Sequence, residues 1–146
     1  NKPTILSTGM ATLKEVDYCY NLLIKSGLSP ENIIIMHCTT QYPTDFKDVN
    51  LKAVKTIEEN FQCQIGYSDH TLGNEISLVA LGMGCNYFEK HFTLDKNLFG
   101  PDHKASLSID ELKSYVGLLR TVYSALGNGI KKPNYLLQYR LPLYPT

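Results

Sequence analysis

The feature that most constrains the fold of this chain is a fourfold alternation of short apolar runs with amphipathic helical patterns. Such alternation through short connections is typical of a parallel sheet, because each strand needs a right-handed crossover helix to reach the next parallel strand. The sequence therefore predicts an α/β fold in βαβαβαβα order. A doubly wound sheet and one half of a TIM (β/α)8 barrel both fit this order. The predicted strands are residues 3–9, 32–38, 63–69 and 85–93, and the predicted helices are 12–27, 50–61, 72–84 and 108–127.

Two of the predicted helices begin with a capping-box pattern. Thr12 precedes Glu15 by three residues, and Ser108 precedes Glu111 by the same spacing, so each pair can satisfy free backbone N–H groups. Gly27 is predicted to end the first helix. Residues 134–146 show no clear period and are predicted to form an irregular tail after a partial barrel domain at 1–133.

The composition excludes several classes of function. The chain has 146 residues with 14 basic and 14 acidic side chains, so it lacks the basic excess that binding to nucleic acid or an anionic membrane needs. Its length suits one domain, and no apolar run is long enough to span a bilayer. The cysteines show no CxxC spacing, and we expect them to be reduced and mostly buried in a cytoplasmic protein. They are Cys19, Cys38, Cys63 and Cys85.

Chemically active side chains collect where the predicted strands end. The carboxyl ends of parallel strands meet on one face of the fold, which is where ligands bind. All four carboxyl ends are polar here, so we expect a functional site on that face. Residues 7–9 also offer a hydroxyl and backbone N–H groups at a helix start, which suits either a phosphate or a plain turn. The polar residues are Ser7, Thr8, Thr39, Thr40, Gln41, Tyr42, Ser68, Asp69, His70, Thr71, Glu89, Lys90, His91, Asp102, His103 and Lys104.

His70 and His91 are predicted to stand at matching ends of adjacent strands. Two imidazoles in that position can share a divalent ion of the Mn, Fe, Co or Zn type, with Glu89 or Asp102 as a further ligand or a hydrogen-bonding support. Each histidine could instead only cap its strand through hydrogen bonds, and the residues leave both possibilities open. His37 lies within a strand and is predicted to be a core residue.

Four segments are more specific: ILSTGM, HCTTQYPTDFKDVNLKAV, GYSDHTLGNEISLVALGMG and EKHFTLDKNLFGPDHKASLSIDEL. Together they closely resemble the bacterial sialic acid synthase family, that is, the N-acetylneuraminate synthases and their legionaminic and pseudaminic relatives. The resemblance covers about residues 2–133, and its most specific part is GYSDHT followed by EKHFTLDK and GPDHKAS. It implies the second half of a TIM barrel, strands 5–8 with their helices.

The resemblance also implies a chemistry. A transferase would condense phosphoenolpyruvate with N-acetylmannosamine to give a nine-carbon sugar acid and phosphate, with Mn²⁺ or Mg²⁺ as a Lewis acid on the acceptor aldehyde. A related acceptor would make it a legionaminic or pseudaminic acid synthase. His70 and His91 would bind the metal, and Glu89 would hold or deprotonate a metal-bound water. Ser7 and Ser68 would bind the phosphate, with Thr40 where some members place Asn, and Tyr42 and Asp102 would contact the sugar.

The chain also departs from the family. It resembles only the last four barrel strands, and neither the first half, with its substrate-binding Glu and Lys, nor the C-terminal antifreeze-like domain has a counterpart in it. We therefore expect a fragment with little or no activity alone, taken from a cytoplasmic enzyme that forms a homodimer at full length. A non-catalytic fragment that binds metal or sugar phosphate is the second hypothesis. A different metal-dependent aldolase is the third, and the combination of SDHT with GPDHKAS argues against it.

Overall fold

Four parallel strands form one sheet in the order β1-β2-β3-β4, so each strand lies beside the strand that follows it in sequence. The structure, a computed structural model, describes residues 2–133. A doubly wound sheet reverses its strand order at one point; the described strands do not, and they form half of a TIM barrel, as predicted. The tail predicted at 134–146 lies outside the described residues. The elements are β1 (Thr4–Ser7), α1 (Leu13–Lys25), β2 (Ile33–Cys38), α2 (Ala53–Asn60), β3 (Gln64–Asp69), α3 (Glu75–Gly82), β4 (Tyr87–Lys90) and α4 (Ile109–Leu126).

Local sequence decides where α1 and α4 begin, and both predicted capping boxes are confirmed. The Thr12 hydroxyl accepts a hydrogen bond from the N–H of Glu15, whose carboxylate accepts one from the N–H of Thr12. Ser108 and Glu111 make the same reciprocal pair at the start of α4. Each box satisfies two backbone N–H groups that the helix itself cannot reach.

Three element boundaries differ from the prediction by three residues. Helix α2 begins at Ala53 rather than at residue 50, since Asn50 has a left-handed φ of 45° that no helix contains. Helix α3 begins at Glu75 rather than at 72, after a turn in which Gly73 has a φ of 80°. Strand β4 ends at Lys90 rather than at 93, and one bridge between residues 92 and 107 continues the pairing.

The hydrophobic core lies between the sheet and the helices. Side chains alternate between the two faces of a strand, and one set packs with Val54 and Ile57 of α2 in a single buried cluster. We call this face of the sheet the outer face and the opposite face the inner face. The outer face carries Ile33, Ile35, His37, Ile65, Tyr67, Asp69, Phe88 and Lys90, and the inner face carries Ser7, Ile34, Met36, Cys38, Gly66, Ser68 and Glu89.

Two expectations drawn from composition can be compared with the structure. All four cysteines are free, as predicted, but only Cys85 is buried and the other three are half-buried, so the expectation of mostly buried thiols is wrong. Each of the three lies at an element end or on a helix side that nothing fully covers in the described residues. Within residues 2–133, none of the helices combines the length and apolarity that crossing a bilayer requires.

Candidate functional site

The pairing of β3 with β4 places the predicted site residues at one level of the sheet. Ser68 pairs with Glu89 and Asp69 pairs with Lys90, so His70 and His91 follow as neighbours directly beyond the strand ends. Their ring centroids are 5.6 Å apart. The two histidines are thus brought together as predicted, on the inner face at the carboxyl ends of the strands.

Tyr42 lies against both imidazoles. Its ring centroid is 4.1 Å from that of His70 and 4.5 Å from that of His91. The phenol oxygen is 2.7 Å from Nε2 of His70. The loop after β2, which carries Tyr42, therefore folds over the histidine pair and contributes an aromatic wall and a hydroxyl.

The backbone around His70 fixes which of its ring nitrogens carries the proton. Nδ1 lies 2.7 Å from the carbonyl oxygen of Thr39, and a carbonyl can only accept, so Nδ1–H is the donor. In the neutral ring Nε2 then has a lone pair, which accepts from the Tyr42 hydroxyl. Burial lowers the pKa of His70, which favours this neutral form.

Glu89 is held in place by Ser68, its register partner on β3. The Ser68 hydroxyl donates to Oε1 of Glu89 at 2.6 Å, and the hydroxyl oxygen of Ser68 also lies 3.1 Å from Nε2 of His70. Ser68 is fully buried, whereas the Glu89 side chain is exposed on the inner face. The carboxylate is therefore fixed next to the histidine pair and remains accessible to solvent.

The end of β1 reaches the site through backbone proximity. A Cβ on Gly9 would meet the hydroxyl of Thr40 and lie 3.3 Å from the sulfur of Cys38, so the β1 end packs closely against the end of β2 and the loop that follows it. Ser7 and Thr40 are both exposed. The Thr8 hydroxyl is buried and donates to the carbonyl of Met36 at 2.9 Å, so of the three residues at 7–9 it contributes to the fold rather than to a phosphate site.

Asp102 approaches the site on the loop after β4. The loop is fastened by the Thr93 hydroxyl, 2.7 Å from Nδ1 of His103, and by the Ser106 hydroxyl, which donates to the carbonyl of Asp102. The pKa of Tyr42 is raised, first by burial and then by the negative charge of Asp102. The Asp102 carboxylate therefore lies close enough to Tyr42 to act on its ionisation.

His37 is a core residue, as predicted. It is buried on the outer face, and Nε2 lies 2.8 Å from the carbonyl of Val49. It lines a cavity of about 530 Å³ between α1 and α2, together with Lys52 and Thr56. This cavity adjoins the loop after β2 but is not lined by either histidine of the pair.

The residues present fit a divalent cation held by two imidazoles. Within residues 2–133 no group of three or more His, Cys, Asp or Glu side chains is close enough to hold a metal ion, so His70 and His91 would be the protein ligands. A backbone carbonyl on one ring nitrogen and a lone pair on the other is the arrangement that metal-binding histidines use. The Tyr42 hydroxyl donates a hydrogen bond to that lone pair of His70, and a bound metal ion would replace this hydrogen bond. Two protein ligands leave positions open for water and substrate, unlike the closed four-ligand arrangement of a structural zinc site.

The sequence places Asp69 and Lys90 at polar strand ends but does not predict that they pair. Asp69 and Lys90 form a buried ion pair on the outer face, directly behind the two histidines. Their hydrogen-bond partners include Ser77 of α3, which in turn meets Tyr115 of α4. The only signal in the sequence was a charged residue before each histidine, in SDH and in EKH.

Comparisons with known proteins agree with this architecture. The model of the NeuB family matches residues 1–131. The chain is 52% identical over 132 residues to N,N'-diacetyllegionaminic acid synthase of Campylobacter jejuni, an alignment that covers 90% of the chain and 40% of the relative. It is 45% identical over 135 residues to the synthase of the same name in Legionella pneumophila, covering 90% of the chain and 38% of that relative.

A solved structure of a related synthetase has the same fold over the region that it shares with this chain. The N-acetylneuraminic acid (sialic acid) synthetase of Leptospira borgpetersenii, crystallised with citrate, superposes with a TM-score of 0.81 at 34% identity and covers 92% of this chain and 46% of that one. The chain thus spans about two fifths of the length of the relatives that it matches. With a family match over almost its whole length and the same half-barrel fold, this chain belongs to the NeuB family.

Proposed function

We propose that this chain is the carboxyl-terminal half of the barrel of a nonulosonate synthase, which condenses phosphoenolpyruvate with an N-acylated hexosamine. The observation that carries the proposal is the cluster of His70, His91, Tyr42 and Glu89 at the carboxyl ends of β3 and β4. The names of the related synthases support the class of reaction.

The reaction forms one carbon–carbon bond and, at the neighbouring carbon, replaces the phosphate ester oxygen by an oxygen from water. The methylene carbon of phosphoenolpyruvate would attack the aldehyde carbon of the open-chain sugar, whose oxygen takes up a proton and becomes a hydroxyl. Water would add at the adjacent carbon, which bears the phosphate, and phosphate would leave from that carbon as the ketone forms. The water proton needs an acceptor, and Glu89 is the carboxylate that Ser68 holds next to the histidine pair.

The remaining side chains would bind and orient the substrates. His70 and His91 would hold Mn²⁺ or Mg²⁺, and the ion, when bound, supplies a Lewis acid for the acceptor aldehyde. Hydroxyls of Ser7 and Thr40, which are exposed, would bind the phosphate of phosphoenolpyruvate. The Ser68 hydroxyl would join them only by releasing Glu89, because it has one proton to donate. Tyr42 and Asp102 would contact the sugar, where the carboxylate can accept hydrogen bonds from its hydroxyls.

The acceptor sugar has two candidates. N-acetylmannosamine is the acceptor predicted from the sequence, and it would make the enzyme an N-acetylneuraminate synthase. A 2,4-diacetamido hexose is the second candidate, because the relatives at 52% and 45% identity are diacetyllegionaminic acid synthases, whereas the human N-acetylneuraminate-9-phosphate synthase is 36% identical. Both sugars present the same open-chain aldehyde to the site.

Phosphate release from phosphoenolpyruvate by the full-length enzyme, with each acceptor in turn, tests the proposal. We expect release that requires both a divalent ion and one of the two sugars, and little or none from the chain alone. Glu89→Gln should lower kcat by about 100-fold or more, since it removes the proton acceptor, whereas Glu59→Gln on the exposed side of α2 should change nothing. A normal rate in Glu89→Gln would refute the assigned role.

A further inference from the structure

The geometry points to a positioning role for the buried ion pair of Asp69 and Lys90: we propose that it locks β3 against β4 in the one register that aims His70 and His91 at a common point. The inference rests on the proposed function, because it concerns the same histidine pair. Asp69 and Lys90 would thus align the two histidines without contacting substrate or metal themselves.

The pair lies directly behind the histidines. Asp69 and Lys90 are register partners, and each immediately precedes one of the two histidines, so alternation turns the charges to the outer face and the imidazoles to the inner face. Nζ of Lys90 is 3.0 Å from Oδ2 of Asp69, and the two side chains are 3% and 0% exposed. The other ion pairs in residues 2–133 are all exposed on the surface.

Every polar atom of the pair has a partner, which makes the arrangement specific. Oδ1 of Asp69 accepts from the N–H and the hydroxyl of Thr71, and Oδ2 accepts from the Ser77 hydroxyl at 2.6 Å. Lys90 donates to the carbonyl of Thr71 at 2.8 Å, and the Tyr115 hydroxyl donates to Ser77 at 2.9 Å. The network therefore ties both histidine-bearing strands to α3 and α4.

A buried ion pair specifies the register between β3 and β4 more tightly than apolar packing would. A slip of one residue between β3 and β4 would separate the charges, and an uncompensated buried charge is strongly unfavourable. Apolar side chains of similar volume tolerate repacking, so they would stabilise the core without fixing the register as sharply. The last outer-face residues at the ends of β1 and β2 are Thr8 and His37, which lie at the level of Tyr67, one outer-face position before Asp69, and which form no ion pair within the described part of the chain.

Comparison of single and double variants separates alignment from stability. Lys90→Met leaves the Asp69 charge buried without its partner, so we expect a lower thermal unfolding midpoint. Asp69→Asn combined with Lys90→Met removes both charges and should recover most of that midpoint. If the pair aligns the site, Mn²⁺ affinity should stay reduced in the double variant by about tenfold or more, the range known for residues behind metal ligands.

The affinity is measured by titrating the full chain with Mn²⁺ alone, followed by EPR, with the unfolding midpoint recorded on the same samples. Asp110→Asn combined with Lys113→Met, which removes an exposed ion pair of α4, is the matched control and should change neither value. A double variant that binds Mn²⁺ as tightly as the original chain would overturn the proposal. If the double variant does not fold, Ser77→Ala is the substitute, because it removes one hydrogen bond from Asp69. We expect Ser77→Ala to weaken Mn²⁺ binding by more than the control does. Mn²⁺ binding equal to that of the control would overturn the proposal.

A metal-free measurement separates this inference from the proposed function. Ring-nitrogen NMR of the chain should show His70 with its proton on Nδ1, and the double variant should lose that single form. Loss of the single form in a chain that binds no Mn²⁺ would count against the metal site while supporting the alignment. An unchanged His70 ring in the double variant would overturn the alignment, whatever the metal does.

Discussion

Tyr42 is the residue whose contacts add most to what the family resemblance implied for it. The resemblance assigned it a contact with the sugar, and the structure places its hydroxyl on the lone pair of His70 that a metal ion would use. Any ion that binds His70 must therefore displace one hydrogen bond. If His70 binds a metal ion, the phenol would compete with that ion for Nε2 as well as form a wall of the site.

A conservative change at this residue tests the competition. Tyr42→Phe keeps the ring beside both histidines and removes the hydroxyl, so Mn²⁺ affinity should rise by roughly two- to tenfold, which corresponds to one hydrogen bond of about 0.5–1.5 kcal/mol. Isothermal titration calorimetry of the chain with Mn²⁺ measures the change. Tyr18→Phe, at an exposed position of α1, serves as the control. Unchanged or weaker binding in Tyr42→Phe would show that the hydroxyl does not compete.

At the scale of elements, Gly66 lets β2, β3 and β4 approach on the inner face. A Cβ there would lie 2.8 Å from the carbonyl oxygen of Tyr87 and would also collide with the sulfur of Met36. Gly66→Ala should lower the free energy of unfolding by about 1–3 kcal/mol, as overpacking does. Gly117→Ala, in the interior of α4 with open space around it, should raise it by about 0.5–1 kcal/mol. Urea unfolding gives the free energy of unfolding of each variant. Equal changes in Gly66→Ala and Gly117→Ala would contradict the packing described for Gly66.

The start of α4 gives a prediction on pH. The pKa of Glu111 is lowered to about 2, chiefly by its hydrogen bond with Lys96 and then by the backbone of Ser108. A lowered carboxyl pKa stabilises the fold above its ordinary value of 4.5, and that contribution is lost as the pH falls towards 2. The carboxylate is half exposed, so solvent screening keeps the effect small.

Thermal unfolding between pH 5 and pH 2 tests this assignment. The midpoint of the original chain should exceed that of Glu111→Gln at pH 5, and the difference should shrink as the pH falls towards 2. Glu59→Gln, on α2, should show no such convergence. A difference that stays constant across this range would mean that the charge of Glu111 does not contribute.

The elements that could be predicted from sequence are those with local causes. The capping boxes at Thr12 and Ser108 depend on residues three positions apart, so pattern alone locates them. The start of α3 depends on the turn that the Asp69 carboxylate holds at Thr71, and the link from Tyr115 to Ser77 joins residues 38 positions apart. Such contacts become visible only once the strands and helices are packed.

At the scale of the whole molecule, the inner face of the sheet is exposed at β1, whereas Ile34 and Met36 on the inner face of β2 are buried. Ile5, on the inner face of β1, is 56% exposed, and β1 and β4 each have one neighbouring strand within the described residues. Unpaired strand edges and exposed apolar side chains are surfaces to which other strands or chains can bind. The histidine pair follows the ends of β3 and β4, away from the β1 edge. We therefore expect this chain alone to form the geometry of the histidine pair.

The most direct test of that claim is an EPR titration of the full chain with Mn²⁺, comparing the original chain with His70→Ala. His103→Gln, another partly buried histidine that is not a predicted ligand, is the matched control, and circular dichroism verifies that all three are folded. We expect the original chain and His103→Gln to bind Mn²⁺ and His70→Ala not to bind it. Binding that His70→Ala retains, or no binding by any of the three, would contradict a preformed two-histidine site on this half barrel.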